Sequence, residues 1–134
     1  GLTALSISAQ NGYLDIVRLF LTAGEVSVSA KDKSGMSPTP WAAAGGYCEV
    51  IQILQEQGAS VNLCDEGKQT PLHHAAAKGH TEAVKLLITD GATVNAQEED
   101  KWTPLHLASQ NGHADTIKAL LTSGAAVDAR EKRE

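Results

Sequence analysis

Five imidazoles, two thiols and a recurring carboxylate are the groups with chemical potential in this chain of 134 residues. The imidazoles are His73, His74, His80, His106 and His113. Zinc needs a tight set of Cys and His ligands, and no such cluster occurs here. Cys48 and Cys64 lack any CxxC spacing and read as reduced thiols of an intracellular protein. Asp15, Glu49, Glu82 and Asp115 recur at the start of apolar helical segments. A carboxylate there meets the positive end of a helix, which is a structural role. The sequence holds no GxSxG, no HExxH, no GxxxxGKS/T and no GxGxxG. No catalytic residue, no metal and no cofactor are therefore expected.

The elements that carry these groups are constrained by composition. Hydrophobic residues make up 42% and charged residues 20%, as in an ordinary folded domain. Large rings are scarce, with two Trp, two Tyr and one Phe. The core must then be built from Leu, Ile, Val and Ala, which favours thin layers of closely approaching helices. No apolar run approaches the ~20 residues of a membrane span. The opening GLTALSISAQ lacks the basic and apolar regions of a secretory signal. A net charge of −5 argues against a nucleic-acid partner, which calls for a basic stripe.

Four segments align along the chain. They are Thr3-Ala-Leu-Ser-Ile-Ser-Ala-Gln-Asn-Gly12, Ser37-Pro-Thr-Pro-Trp-Ala-Ala-Ala-Gly-Gly46, Thr70-Pro-Leu-His-His-Ala-Ala-Ala-Lys-Gly79 and Thr103-Pro-Leu-His-Leu-Ala-Ser-Gln-Asn-Gly112. Their spacings are 34, 33 and 33 residues. A second glycine marker, Gly24, Gly58, Gly91 and Gly124, keeps the same step. The extra residue of the first interval falls between Glu25 and Ser27, where an insertion costs little.

Each unit reads as two helices. Thr or Ser caps the first helix and Pro suits its first position. Ala-rich residues keep that helix slim, and the first glycine ends it. The second helix has apolar residues at i, i+3 and i+4, as in Val84-Leu86-Leu87-Ile88, and so one buried face. The second glycine ends it. One such pair cannot bury its apolar face alone, but four can stack.

TPLHHA at Thr70–Ala75 and TPLHLA at Thr103–Ala108, repeated at this period, give the chain a resemblance to the ankyrin-repeat family over essentially its whole length. The resemblance implies an all-α solenoid of helix–turn–helix units joined by short β-hairpin loops. It covers one domain, 1–134, with units of about 1–35, 36–68, 69–101 and 102–134. It also implies a non-catalytic protein-interaction module that binds a protein or peptide on a concave face of hairpin tips and first helices. Two alternatives accompany it. One is a regulatory or recruiting domain of a larger protein. The other is a methyl-lysine reader built on Trp41, an idea weakened by His74 at the matching position of the next unit. A monomer in the cytoplasm or nucleus is expected. The resemblance gives His73 and His106 a structural role, with the ring bonding backbone and the Thr hydroxyl. It puts Asn62 and Asn95 at the turn asparagine that oxygenases hydroxylate in some relatives, here without the acidic residue two places earlier.

The departures are local. The first unit lacks Pro and His, and Ser6 and Ser8 make its first helix polar, as in a terminal repeat. No polar capping helix follows the last unit, so the chain reads as part of a longer array. The second unit has Thr39 and Pro40 in place of Leu and His, which marks it as the weakest link.

The register names the expected contact residues. The hairpin tips supply Lys33, Met36, Glu66, Gln69, Glu99, Asp100 and Trp102. The ends of the first helices supply Ala77, Lys78, Gln110 and Asn111. Trp102 and Met36 share one position, and Trp is a favoured interface anchor. Tyr13 and Tyr47 give one end of the groove an aromatic rim. Phe20 and Trp41 are expected to pack.

Overall fold

The computed structural model describes residues 3–24 and 26–127. Among them are eight helices and no strand: α1 Ala4–Gln10, α2 Leu14–Ala23, α3 Pro38–Gly45, α4 Cys48–Glu56, α5 Pro71–Lys78, α6 Thr81–Thr89, α7 Pro104–Gln110 and α8 Ala114–Thr122. The odd helices form one row, each packed on the next, and the even helices form a second row behind them. This is the all-α stack that the repeat predicts.

The local rules behave as expected in three units. Thr3, Thr70 and Thr103 cap their helices by accepting from the amides of Ser6, His73 and His106 at 3.0, 3.3 and 3.4 Å. The second unit differs. Ser37 stands at the cap but makes no side-chain cap bond. The reason is Pro40, which occupies the third helical position and has no N–H to give. The Thr39 side chain takes the place of Leu72 and Leu105, and its buried hydroxyl finds no partner.

The first helix of every unit ends alike. The amides of Tyr13, Tyr47, His80 and His113 reach back to the carbonyls of Ser8, Ala42, Ala75 and Ala108 at 3.0 Å. This six-residue closure needs a left-handed residue just before it, which the four in-phase glycines supply.

One contiguous core runs through the stack. Ala42, Ala43, Ala75, Ala76 and Ala108 are fully closed off, so neighbouring inner helices can approach closely. Leu5 and Leu72 pack beside them, while Val17, Val84, Leu87 and Leu120 close the outer row. Phe20 packs on this core as expected and is half-buried. The polarity of α1 has a different meaning from the one expected of a terminal repeat. Ser6 and Ser8 are buried inside the stack, where Ser8 donates to the Ala4 carbonyl and the Ser6 hydroxyl is unpartnered.

Candidate partner-binding face

The loops between units are tight turns instead of paired strands. In each, one residue donates its amide to a carbonyl four residues on: Asp32 to Met36, Asp65 to Gln69 and Glu98 to Trp102, at 2.9, 3.0 and 3.0 Å. The same three residues fill the turn with their carboxylates. Asp32 Oδ1 accepts from the amides of Ser34 and Met36. Asp65 Oδ1 accepts from Gly67 and Gln69, and Glu98 Oε1 from Asp100 and Trp102. Acceptors of this kind satisfy turn amides that have no other partner.

The second oxygen of each aspartate reaches the inner helix. Trp41 Nε1 donates to Asp32 Oδ2 at 2.9 Å. His74 Nε2 lies 3.1 Å from Asp65 Oδ2. Trp41 and His74 hold the same repeat position, so one job is done by an indole and then by an imidazole. That explains the irregular His74. It also places the polar edge of Trp41 on its own hairpin, with the ring half-buried. Burial raises the Asp32 carboxyl, but the bonds from Ser34, Trp41 and the Met36 amide outweigh it and hold the group below its ordinary value. It therefore stays ionised at neutral pH. Asp32, Asp65 and Glu98 were not singled out from sequence; their even step of 33 residues was the available signal.

The rings of His73, His106 and His113 are tied into the backbone as well. Thr70 N–H can only donate, so His73 Nδ1 at 3.1 Å is its acceptor and the ring proton sits on Nε2. Nε2 then donates to the Trp102 carbonyl at 2.9 Å. His106 Nδ1 accepts from Thr103 N–H in the same way at 2.8 Å. His113 Nε2 and Asn111 Nδ2 both reach the Ala77 carbonyl, at 3.0 and 2.8 Å. Among the described residues no group of three His, Cys, Asp or Glu side chains is arranged to hold a metal ion. Cys48 and Cys64 are free thiols, each half-buried. Burial, then the Glu82 charge, pushes the Cys48 thiol up, which makes it a poor nucleophile.

The turn asparagines join successive units. Asn62 Oδ1 accepts from the Thr93 amide and its Nδ2 donates to the Gly91 carbonyl. Asn95 repeats both bonds with Ala126 and Gly124. Hairpins also touch directly, since Glu99 N–H donates to the Gly67 carbonyl at 2.9 Å.

The expected contact residues sort by exposure. Lys33, Glu66, Lys78, Glu99, Asp100, Gln110 and Asn111 are exposed, and Gln69, Ala77 and Trp102 are half-buried. Trp102 lies against His106 with ring centroids 5.8 Å apart. Met36 is 7% exposed. Its unbranched side chain folds inward, so it leaves the exposed ladder although it shares the position of Trp102. Tyr13 and Tyr47 cap α2 and α4 and are exposed. No helix among the described residues is long and apolar enough to cross a membrane.

The family model for ankyrin repeats in three copies matches residues 1–65 and 41–131. Curated relatives match over shorter stretches. The human Ankyrin repeat and KH domain-containing protein 1 is 38% identical over 60 residues, 45% of this chain and 2% of that protein. The Drosophila melanogaster Ankyrin repeat and KH domain-containing protein mask is 39% identical over 60 residues, again 45% and 2%. The Caenorhabditis elegans Ankyrin repeat and KH domain-containing protein mask-1 is 38% identical over 61 residues, 46% and 2%. The chain thus matches a very small part of each of these proteins. With the family model spanning nearly the whole chain and the helix pairs in register, the chain belongs to the ankyrin-repeat family, whose members generally serve as protein-interaction modules.

Proposed function

We propose that this chain is a non-catalytic module that binds a protein or an extended peptide along its hairpin turns and the ends of α1, α3, α5 and α7. The observation that carries the reading is the carboxylate inside each turn. Asp32, Asp65 and Glu98 hold their backbones in place, so Lys33, Glu66, Glu99 and Asp100 project from fixed positions. A preorganised surface loses less conformational freedom on binding. Charges of both signs stand along the turns, and Trp102 supplies an apolar ring among them. Specificity then rests on mixed polar contacts around an anchor.

Affinity capture from cell extract tests the face. Wild type is compared with Trp102→Ala plus Lys78→Glu, and with Lys118→Glu on α8 as a remote control. The double variant, checked to be folded by circular dichroism, should lose proteins that wild type and Lys118→Glu retain. Recovery of the same proteins by all three overturns the assignment.

A second reading concerns the setting. The relatives are ankyrin domains within far longer proteins, which favours a recruiting or regulatory segment of a larger polypeptide. Immunoblotting of the native protein checks its size, and a band at about the mass of these 134 residues counts against it.

A further inference from the structure

The carboxylates of the three turns are not equally engaged. One oxygen of each, Asp32 Oδ1, Asp65 Oδ1 and Glu98 Oε1, accepts two amides of its own turn. The other oxygen of Asp32 accepts the indole N–H of Trp41 at 2.9 Å, and that of Asp65 lies 3.1 Å from Nε2 of His74. Both of these nitrogens stand nine residues after their carboxylate, at one register position of the inner helix. The same step from Glu98 reaches Leu107, which has no donor to offer. Among the described residues nothing donates to Glu98 Oε2, and Lys101 of the same turn makes no ion pair.

The two earlier turns show what such an oxygen accepts. In each, the partner is a nitrogen on the edge of a flat ring, half-buried on its helix. Leu107 is half-buried too, so α7 presents an apolar side chain where α3 and α5 present a donor. Charge sets the sign of the ligand. The first turn carries Asp32 between Lys31 and Lys33, whereas the third carries Glu98, Glu99 and Asp100 against Lys101 alone. A guanidinium matches all of this, being flat, permanently charged and furnished with N–H groups in its plane. An ammonium brings the charge without the flat edge, and a neutral ring brings the edge without the charge.

We propose that Glu98 Oε2, with Leu107 beside it in the register, is the subsite for an arginine side chain of the partner, which donates where Trp41 and His74 donate in the two preceding units. The inference rests on the reading of this face as the partner-binding one, and it gives the chemistry of one contact on that face. Hydrogen bonds between charged groups are among the stronger ones at a protein surface. The amides of Asp100 and Trp102 already hold the carboxylate through Oε1, so little freedom is lost when the second oxygen is engaged.

Titration of the folded chain with N-acetyl-arginine amide, followed by amide NMR, tests the subsite. The amides of Asp100 and Trp102 report on the Glu98 carboxylate. Those of Gly67 and Gln69 report on Asp65, whose second oxygen is already engaged by His74, and serve as the internal reference. Asp100 and Trp102 should shift saturably while Gly67 and Gln69 do not, and N-acetyl-lysine amide should bind more weakly. Leu107→His gives α7 the nitrogen that His74 gives α5. It should close the subsite and weaken the arginine probe on the order of tenfold. Glu98→Gln keeps an oxygen for the turn amides but removes the charge. It should weaken the probe as much, and it carries the test alone if Leu107→His does not fold. No saturable shift, equal shifts in both turns, lysine binding as tightly as arginine, or unchanged affinity in either folded variant overturns the proposal. Such a failure leaves the capture comparison with Trp102→Ala plus Lys78→Glu as it stands, whereas failure of that comparison removes the face itself.

Discussion

His73 Nε2 donates to the Trp102 carbonyl at 2.9 Å, so an inner helix of one repeat holds the hairpin of the next. The same ring anchors Thr70 at its own helix start. The first two units cannot form this tie. Ser6 stands at the histidine position of the first, buried with an unpartnered hydroxyl. Pro40 stands there in the second and has no donor. The joint between the third and fourth units is pinned in a way that the earlier joints are not.

Removing that ring should be costly. His73→Ala leaves the Thr70 amide and the Trp102 carbonyl without their partner and opens a cavity at a site with no solvent exposure. The expected loss is about 3 kcal/mol, read from urea unfolding. A loss below about 1 kcal/mol would show that the bond carries little of the joint.

The same burial sets a pH dependence. Desolvation holds both His73 and His74 below the ordinary value of 6.5, although the Trp102 carbonyl and Asp65 oppose it. Below 6.5 the unfolded chain therefore takes up protons first. Stability is fully present above that pH and declines as pH falls toward the folded values. Urea midpoints from pH 7.5 to 5.5 should fall, and less steeply in His73→Gln. A midpoint that rises over this window contradicts the sign.

The helix pairs, their caps and their ends were legible in the sequence because each depends on residues three to five apart. Thr70 with His73, and Gly79 after Ala75, are local relations that a period makes visible. The hairpin carboxylates were harder. Asp32 is nine residues from Trp41, and an aspartate in a polar loop carries no sign of where its second oxygen points. Exposure was harder still. Met36 and Trp102 share a register position, yet one is buried and the other lies half open on His106. Ser6 and Ser8 suggested a polar outer surface and turned out to be interior. A repeat gives the register of a residue but not the local packing of each unit.

The second unit should be the first internal unit to open. Ser37 lacks its cap bond, and the Thr39 hydroxyl is buried without a partner. Thr39→Val keeps the shape and removes the stranded hydroxyl, so it should stabilise by about 1 kcal/mol. Thr70→Val should destabilise by about 1–2 kcal/mol, because that hydroxyl caps α5. Native-state hydrogen exchange should find the amides of Ala42 and Ala43 opening more readily than those of Ala75 and Ala76. The reverse order would place the weak point elsewhere.

Two glycines separate backbone strain from stacking between units. Gly79 and Gly91 both have positive φ, 75° and 102°. A methyl group at Gly91 meets nothing within 4 Å, whereas at Gly79 it falls 2.5 Å from Nδ1 of His113. That ring cannot withdraw freely, since its Nε2 is bonded to the Ala77 carbonyl at 3.0 Å. Gly91→Ala should therefore cost only the backbone term of about 1 kcal/mol. Gly79→Ala should cost about 1–2 kcal/mol more, through the displaced imidazole. Combining Gly79→Ala with His113→Ala relieves the clash, so the double variant should be more stable than the sum of the two losses implies. Simple additivity in that cycle would mean that the imidazole yields without cost and does not pin the fourth unit onto the third.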